Sequence, residues 1–417
     1  MRKNINKLVA VAIGVSVMSG STIPVFAADT TTQNTSTITS VQAQTNVKSS
    51  LTLEDAIKAA VSNSETLTLD EQKISYQDKI NGVNEKIDDA TSTITDDKKN
   101  LDNDTADNSL NQAKQQRDFD EDKLVQKTTT AYNGIVTSQK QIDKATKALE
   151  IKNKELNDTK LKNSLGIVTT IDLTSTQLEI ESLQNTQKSS QNKLKDAEDS
   201  FKVLTGKDVT QYTLEQDIKY DTFKIDSSVD EYLDNIIENY LKYSTQLIKL
   251  NKDYLDDNKV SEPTKPSDEP FVKKDISTMN VKEYDDYVNS LSDYNAVRQK
   301  YVTDLSARLV YLNSKLGAYT SETNINETKK KFKDQLRSFY TNLLTTEDSI
   351  NLLKKNIELS NKQLSNAKLR YDLGLITKSD YNTQVVSSED LDIQLRSAID
   401  SYNTLKEEIQ KPWIAFS

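Results

Sequence analysis

Apolar residues return every seven positions along four stretches of the chain. Ile135, Ile142, Leu149 and Leu156 form one series, and Leu173, Ile180, Leu194 and Phe201, flanked by Leu183, Ala197 and Leu204, form a second. Leu336, Leu343, Ile350, Ile357, Leu364 and Tyr371 make a third, and Tyr381, Leu391, Leu395, Ala398, Tyr402, Leu405 and Ile409 carry a fourth. A strict seven-residue repeat on a helix keeps one narrow seam facing a partner, so these stretches predict left-handed coiled coil. Shorter amphipathic helices are predicted at 51–64, with Leu53, Ala56, Ile57 and Ala60 on one face, and at 227–244. Another helix is expected where Ile80, Ile87, Ile94 and Leu101 recur at seven-residue spacing, with Tyr76, Val83 and Ala90 between them. Residues 102–110 read as a polar break. Residues 282–316 read as a Tyr-rich helix, and 261–270 as an acidic linker holding three of the five prolines.

Two junctions between the series share one local grammar. LKNSLGIVTTIDL (161–173) and LRYDLGLITKSDY (369–381) lie 208 positions apart. Gly166 and Gly374 fall where a helix ends in the left-handed conformation, which only glycine adopts without steric cost. Ile167 and Leu375 then stand where a residue past the cap can pack back on Leu161 and Leu369. Thr169…Asp172 and Thr377…Asp380 have the capping-box spacing, with Asp in place of the commoner Glu. Val168 with Leu173, and Ile376 with Tyr381, have the spacing of a hydrophobic staple. Each junction therefore stops one helix and starts another, giving hairpin tips at 163–173 and 371–381. The same shift of 208 places Ile142 on Ile350, Leu149 on Ile357, Leu156 on Leu364 and Leu183 on Leu391. The expectation is an all-α chain of two tandem repeats, 51–226 and 227–412, each a long antiparallel coiled-coil hairpin.

Composition narrows the class. The 417 residues are 35% hydrophobic and 28% charged, with a formal net charge of −10, 8 Gly and no Cys or His. Such a polar, glycine-poor chain suits long wet helices better than a many-stranded fold. The acidic balance argues against nucleic acid as a partner. Residues 1–27 read as a secretory signal: Arg2, Lys3 and Lys7, then an apolar run, then a small-x-small site at Val25-Phe26-Ala27. Its removal takes the net charge from −10 to −13, since three basic residues leave with it. Residues 28–50 read as a disordered Thr/Ser/Gln/Asn spacer. The mature chain shows no apolar stretch long enough to span a bilayer as a helix.

Catalytic chemistry finds no support. Without His or Cys there is no Ser-His-Asp or Cys-His arrangement and no usual zinc site. Gly206-Lys207 lacks the earlier Gly of a phosphate loop and is followed by Asp208. Asp118, Asp120 and Asp122 begin like a calcium loop, but Lys123 stands at the turn-Gly position and Thr129 at that of the bidentate Glu, so a solvated helix face is expected. The tyrosines are expected to pack in the core. No catalytic residue, cofactor or metal is assigned.

With its signal, tandem halves and repeated G-x-x-T-x-x-D tip, the chain resembles the TolC-like outer-membrane efflux proteins over most of 51–412. LTLEDAIKAAVSNS and VDEYLDNIIENYLKYS resemble that family's repeat openings, and NTQKSSQNKLKDAEDSFKVLTGKD the end of its first repeat. The resemblance implies a homotrimer whose hairpins form a tapering tunnel. It also implies tips that dock on a membrane-fusion adaptor of an inner-membrane transporter. On that basis Gly166, Thr169 and Asp172 form one docking tip and Gly374, Thr377 and Asp380 the other, with Asp172, Asp380 and Tyr371 at the tunnel mouth. Two departures stand out. Ser175 and Thr383 occupy positions where some members carry a second acid. Residues 90–112 and 254–270, where members place membrane-spanning β-strands, show no apolar/polar alternation, so no β-barrel is expected. The expected function is an exported tunnel or docking element of an efflux or secretion assembly in the cell envelope, placed in an outer membrane only if barrel strands exist. The alternative is a cell-wall or surface coiled-coil scaffold without transport. Pure capping geometry also explains the tip residues, leaving docking to the resemblance alone.

Overall fold

The computed structural model describes residues 48–416, so the signal at 1–27 and most of the spacer lie outside the described residues. Strand β1 (Ser49–Leu51) leads into α1 (Leu53–Asn63), α2 (Glu65–Ala90), α3 (Asp96–Ser164) and α4 (Thr170–Thr205). A 3-10 turn (Val209–Gln211) and β2 (Tyr212–Leu214) close the first half. The second half follows the same order: α5 (Val229–Tyr240), α6 (Lys242–Asp257), α7 (Val281–Asp372) and α8 (Lys378–Gln410), ending in a 3-10 turn at Pro412–Ile414. The fold is all-α, two successive sets of long antiparallel helical hairpins. Its described strands are two three-residue segments paired in parallel, Leu51 opposite Leu214. Segments 90–112 and 254–270 hold helix, turn and irregular chain rather than barrel strands.

Several boundaries differ from the sequence expectation. The break at 102–110 is helical: α3 runs unbroken for 69 residues because Asp, Asn and Thr cost a helix only tenths of a kcal/mol each, and the segment packs through buried Asn108 and Leu110. The Tyr-rich helix and the ascending arm after it are one helix, the 92-residue α7. The helix expected at 227–244 breaks at Leu241 into α5 and α6. The end of the spacer, Ser49 and Ser50, is strand. Ile80 and Ile87, two of the residues at seven-residue spacing, are exposed.

The chain divides into two compact units. One comprises Ser75–Gln112 and Leu241–Lys331. In it Asn81 donates to the Ala106 carbonyl at 3.0 Å, Asn108 to that of Tyr243 at 3.0 Å, and Lys252 pairs with Glu322 at 2.7 Å. These links connect α2 to α3, α3 to α6 and α6 to α7.

The other unit comprises 48–74, Ala113–Tyr240 and 332–416, and contains both hairpins. Its core gathers Leu51, Ala56, Tyr132, Ile135, Val136, Phe201, Val209 and Leu214. Burial of each large side chain contributes about 1.5–3 kcal/mol. Tyr132 fixes the strand pair: its hydroxyl donates to the Leu51 carbonyl and accepts from the Glu215 N–H, each at 2.7 Å. A buried polar group joins α3 to α8. Arg396 donates to Asn133 at 3.0 Å, to the Gln216 carbonyl at 2.5 Å and to Thr137 at 3.2 Å, while Asn133 donates to Asp400 at 2.7 Å. The C-terminal turn is held by aromatic stacking, Trp413 on Phe119 at 4.2 Å and Phe416 on Phe332 at 4.3 Å. Trp413 and Lys411 both donate to Asp122 at 2.9 Å. Asp122 is thus an anchor for the last turn rather than part of a solvated face.

Candidate functional site

The two hairpin tips are built alike from the backbone outward. At the first, Gly166 takes a φ of 71°, at the second Gly374 a φ of 72°. The Ile167 N–H donates to the Lys162 carbonyl at 2.8 Å and the Gly166 N–H to Asn163 at 3.0 Å. Leu375 and Gly374 repeat this with Arg370 at 2.8 Å and Tyr371 at 2.9 Å. Each pair of bonds is the two-bond Schellman closure, which satisfies helix-end carbonyls only when the residue after the cap is left-handed.

Three residues on, a reciprocal capping box opens the next helix. Asp172 accepts from the Thr169 backbone N–H at 2.8 Å and hydroxyl at 2.7 Å, and the Asp172 N–H donates to the Thr169 hydroxyl at 3.2 Å. Thr377 and Asp380 repeat it at 3.0, 2.8 and 3.1 Å. The Thr hydroxyl first, and its N–H second, hold both Asp carboxyls below the usual carboxylate range. Both acids are therefore ionised at neutral pH, each with one oxygen engaged in its cap and the other in water.

The apolar residues of the tips are the part that sequence reasoning placed wrongly. Ile167 and Leu375 do not bury themselves against Leu161 and Leu369. All four are exposed, along with Leu165 and Leu373, and the exposures match across the repeat: 61% and 57%, 65% and 64%, 67% and 66%. The Schellman bonds close the turn without help from a buried contact. Each tip thus presents three bare apolar side chains at positions aligned by the 208-residue shift, beside an ionised Asp, and the first adds Ile171, 80% exposed, where the second has Ser379. The heptad count pointed to helices, but which apolar residues lack a partner is a property of the turn in space.

Among the positions where the tips differ, one pair changes the packing of the turn. Tyr371 and Tyr381 stack with ring centroids 5.6 Å apart and planes 12° from parallel, with Lys368 over the Tyr371 ring. The corresponding residues of the first tip are Asn163 and Leu173, and Asn163 donates to the Val168 carbonyl at 3.0 Å. Tyr371 therefore acts at the tip through its ring. Among the described residues its hydroxyl makes no hydrogen bond to Asp172 or Asp380.

Chemically, each tip presents a shaped, partly apolar surface in which an ionised Asp stands among basic neighbours, Lys162 at the first and Arg370 and Lys378 at the second. Among the described residues no group of three or more His, Cys, Asp or Glu is placed to hold a metal ion. No described helix is long and apolar enough to cross a membrane.

This architecture, long helical hairpins in two successive sets, defines the class of fold: that of the outer-membrane channels. The sequence itself matches no protein-family model and no curated protein. Among solved structures the chain is similar to CusC, described in the context of folding and transmembrane channel formation (TM-score 0.55, 11% identity, 87% of this chain and 91% of that one). It is similar as well to the Campylobacter jejuni CmeC outer membrane channel (TM-score 0.52, 12% identity, 87% and 85%). A third is the open state of the Neisseria gonorrhoeae MtrE outer membrane channel (TM-score 0.52, 10% identity, 87% and 88%). At these identities the likeness is one of fold.

Proposed function

We propose that this chain is an exported, trimeric helical tunnel of the cell envelope. Its two hairpin tips dock on a membrane-fusion adaptor that joins it to an inner-membrane efflux or secretion pump. The carrying observation is the pair of tips, which repeat the same backbone closure, the same ionised Asp and the same three exposed apolar side chains. Three apolar positions kept bare in both tips fit a common partner better than a passive turn. Residues 1–27 act as the export signal, 51–226 and 227–412 as the two repeats, and the chain carries no catalysis of its own. On the export signal read at 1–27 it belongs to the cell envelope outside the cytoplasm, and no described helix is long and apolar enough to cross a bilayer.

The test is complementation. Deletion of the gene is expected to raise sensitivity to toxic compounds or block a secreted product. The wild-type chain is expected to restore the phenotype. A chain with Leu165, Ile167, Leu373 and Leu375 changed to Ser, which leaves the fold intact because these side chains are exposed, is expected not to. Full complementation by that variant removes docking through the tips. A deletion with no transport phenotype favours the scaffold reading.

A further inference from the structure

The unit of Ser75–Gln112 and Leu241–Lys331 holds a cleft that the tips do not use. It lies between the irregular segment 266–279 and α7, and its volume is about 1,010 Å³. Clefts of roughly 300–1,000 Å³ are the size that takes a small organic molecule. The α7 wall runs from Glu283 to Arg298 in steps of one and three residues, so it is a single helical face.

The apolar part of the lining is aromatic. Phe271 of the irregular segment sits against Tyr287 and Tyr294, one heptad apart on α7, with ring centroids 5.4 Å away in each case and planes tilted by 49° and 53°. Pro270 and Met279 extend this surface. One ring already holds a cation, since the Arg298 guanidinium carbon lies 4.6 Å from the centre of Tyr294. Arg298 also donates to the Ser267 carbonyl at 3.2 Å, which fixes it at the C-terminal end of the α7 wall. Its Nε is buried and finds no acceptor among the described residues. A buried donor left unpaired is costly, and an acceptor carried by a ligand would satisfy it.

The polar part is acidic. Glu269, Asp275, Glu283, Asp286 and Asp293 line the cleft with Lys274 and Arg298, five carboxylates to two cations. Asp275 and Glu283 are spent on local caps, accepting from the Ser277 N–H and the Asn280 N–H, each at 2.9 Å. The other three pair with no cation among the described residues, and the ion pairs nearest in sequence, Lys265–Asp268 and Lys300–Asp304, lie outside the lining. Nor are these acids gathered for a metal, because no three of the described His, Cys, Asp or Glu come together to hold one. Carboxylates spread along a wall of aromatic rings suit a positive charge carried on a bulky apolar body.

We infer that this cleft binds small amphipathic organic cations, ring-bearing molecules with one positive charge and a hydrogen-bond acceptor. Phe271 and Tyr287 take the apolar body, Asp286 and Asp293 face the charge, and the Arg298 Nε meets the acceptor. An anionic ligand meets three unpaired carboxylates, and a neutral apolar one strips them of water without compensation. The inference stands on the cleft and not on the tunnel reading, whose tips belong to the other unit.

The test is fluorescence anisotropy on the purified full chain with two xanthene dyes, cationic rhodamine 6G, which bears an ester, and anionic fluorescein. Saturable binding of rhodamine 6G and none of fluorescein is expected. Asp286→Asn with Asp293→Asn is expected to weaken binding at least fivefold. Tyr287→Leu, which keeps apolar bulk without the ring, is expected to weaken it at least threefold. Removing two carboxylates elsewhere, Asp196→Asn with Asp199→Asn on the exposed side of α4, is expected to leave it unchanged. Each variant is expected to keep the helical circular dichroism spectrum. Absence of saturable rhodamine 6G binding, equal uptake of fluorescein, or equal weakening by both Asp→Asn pairs overturns the inference and leaves the tunnel reading standing. Displacement of the dye by an equimolar peptide rich in Lys and Arg assigns the cleft to a protein partner and overturns it as well.

Discussion

The two halves of α7 carry apolar seams of the same seven-residue spacing and opposite fates. Leu336, Leu343 and Ile350 are completely buried against the rest of their unit, while Leu309, a few turns earlier on the same helix, is 60% exposed. Periodicity therefore specifies that a seam exists and which face it occupies, and says nothing about where its partner comes from. In the later half the partner lies within the chain. In the earlier half Leu309, Leu312 and Leu316 of the same pattern remain exposed.

The sharpest way to break this contrast is truncation. Leu343→Ala removes a fully buried side chain and is expected to lower unfolding free energy by about 4 kcal/mol. Leu309→Ala is expected to change it by less than about 0.5 kcal/mol, measured by denaturant titration at concentrations where copies are dissociated. Arg396→Met comes next. It leaves the Gln216 carbonyl and the Asn133 Oδ1 without a donor where α3 meets α8, at an expected cost of about 3 kcal/mol in the same titration.

The tips offer a second contrast, of likeness rather than difference. Gly166→Ala and Gly374→Ala force a Cβ into left-handed backbone and are each expected to cost about 1–2 kcal/mol, equal within error. Thr169→Ala and Thr377→Ala are each expected to cost about 1 kcal/mol, read as faster amide exchange in the first turns of α4 and α8. Unequal values would mean that the Tyr371–Tyr381 stack, absent from the first tip, contributes to closure.

The smallest effects concern pH, and the two classes of acid have opposite signs. Asp172 and Asp380 have folded carboxyls below their unfolded value, so their contribution is present at neutral pH and lost as pH falls through the depressed value. Burial raises Asp400, so its contribution declines as pH rises from the unfolded to the folded value. Asp400→Asn is expected to flatten that second slope in melting curves taken from pH 4 to 7 and to leave the acid limb in place.

Much of this was readable from residues alone. Gly, Thr and Asp at fixed offsets gave both turns because each satisfies a backbone group locally, and the second turn stands 208 residues after the first. The unbroken α3 was misread because Asp102, Asn103 and Asp104 read as turn residues, yet within a long helix their penalty is small against the length they join. Strands of three residues leave no alternation to find. The exposed leucines of the tips and of α7 were invisible for another reason. An apolar residue at helical spacing predicts burial, and only coordinates reveal that no neighbour arrives.

The central claim is that this chain completes itself with copies of itself. Its most direct test is the mass of the purified particle by size-exclusion chromatography with light scattering at tens of micromolar. Three chains per particle is the expected result, and a strict monomer over that range would contradict the account.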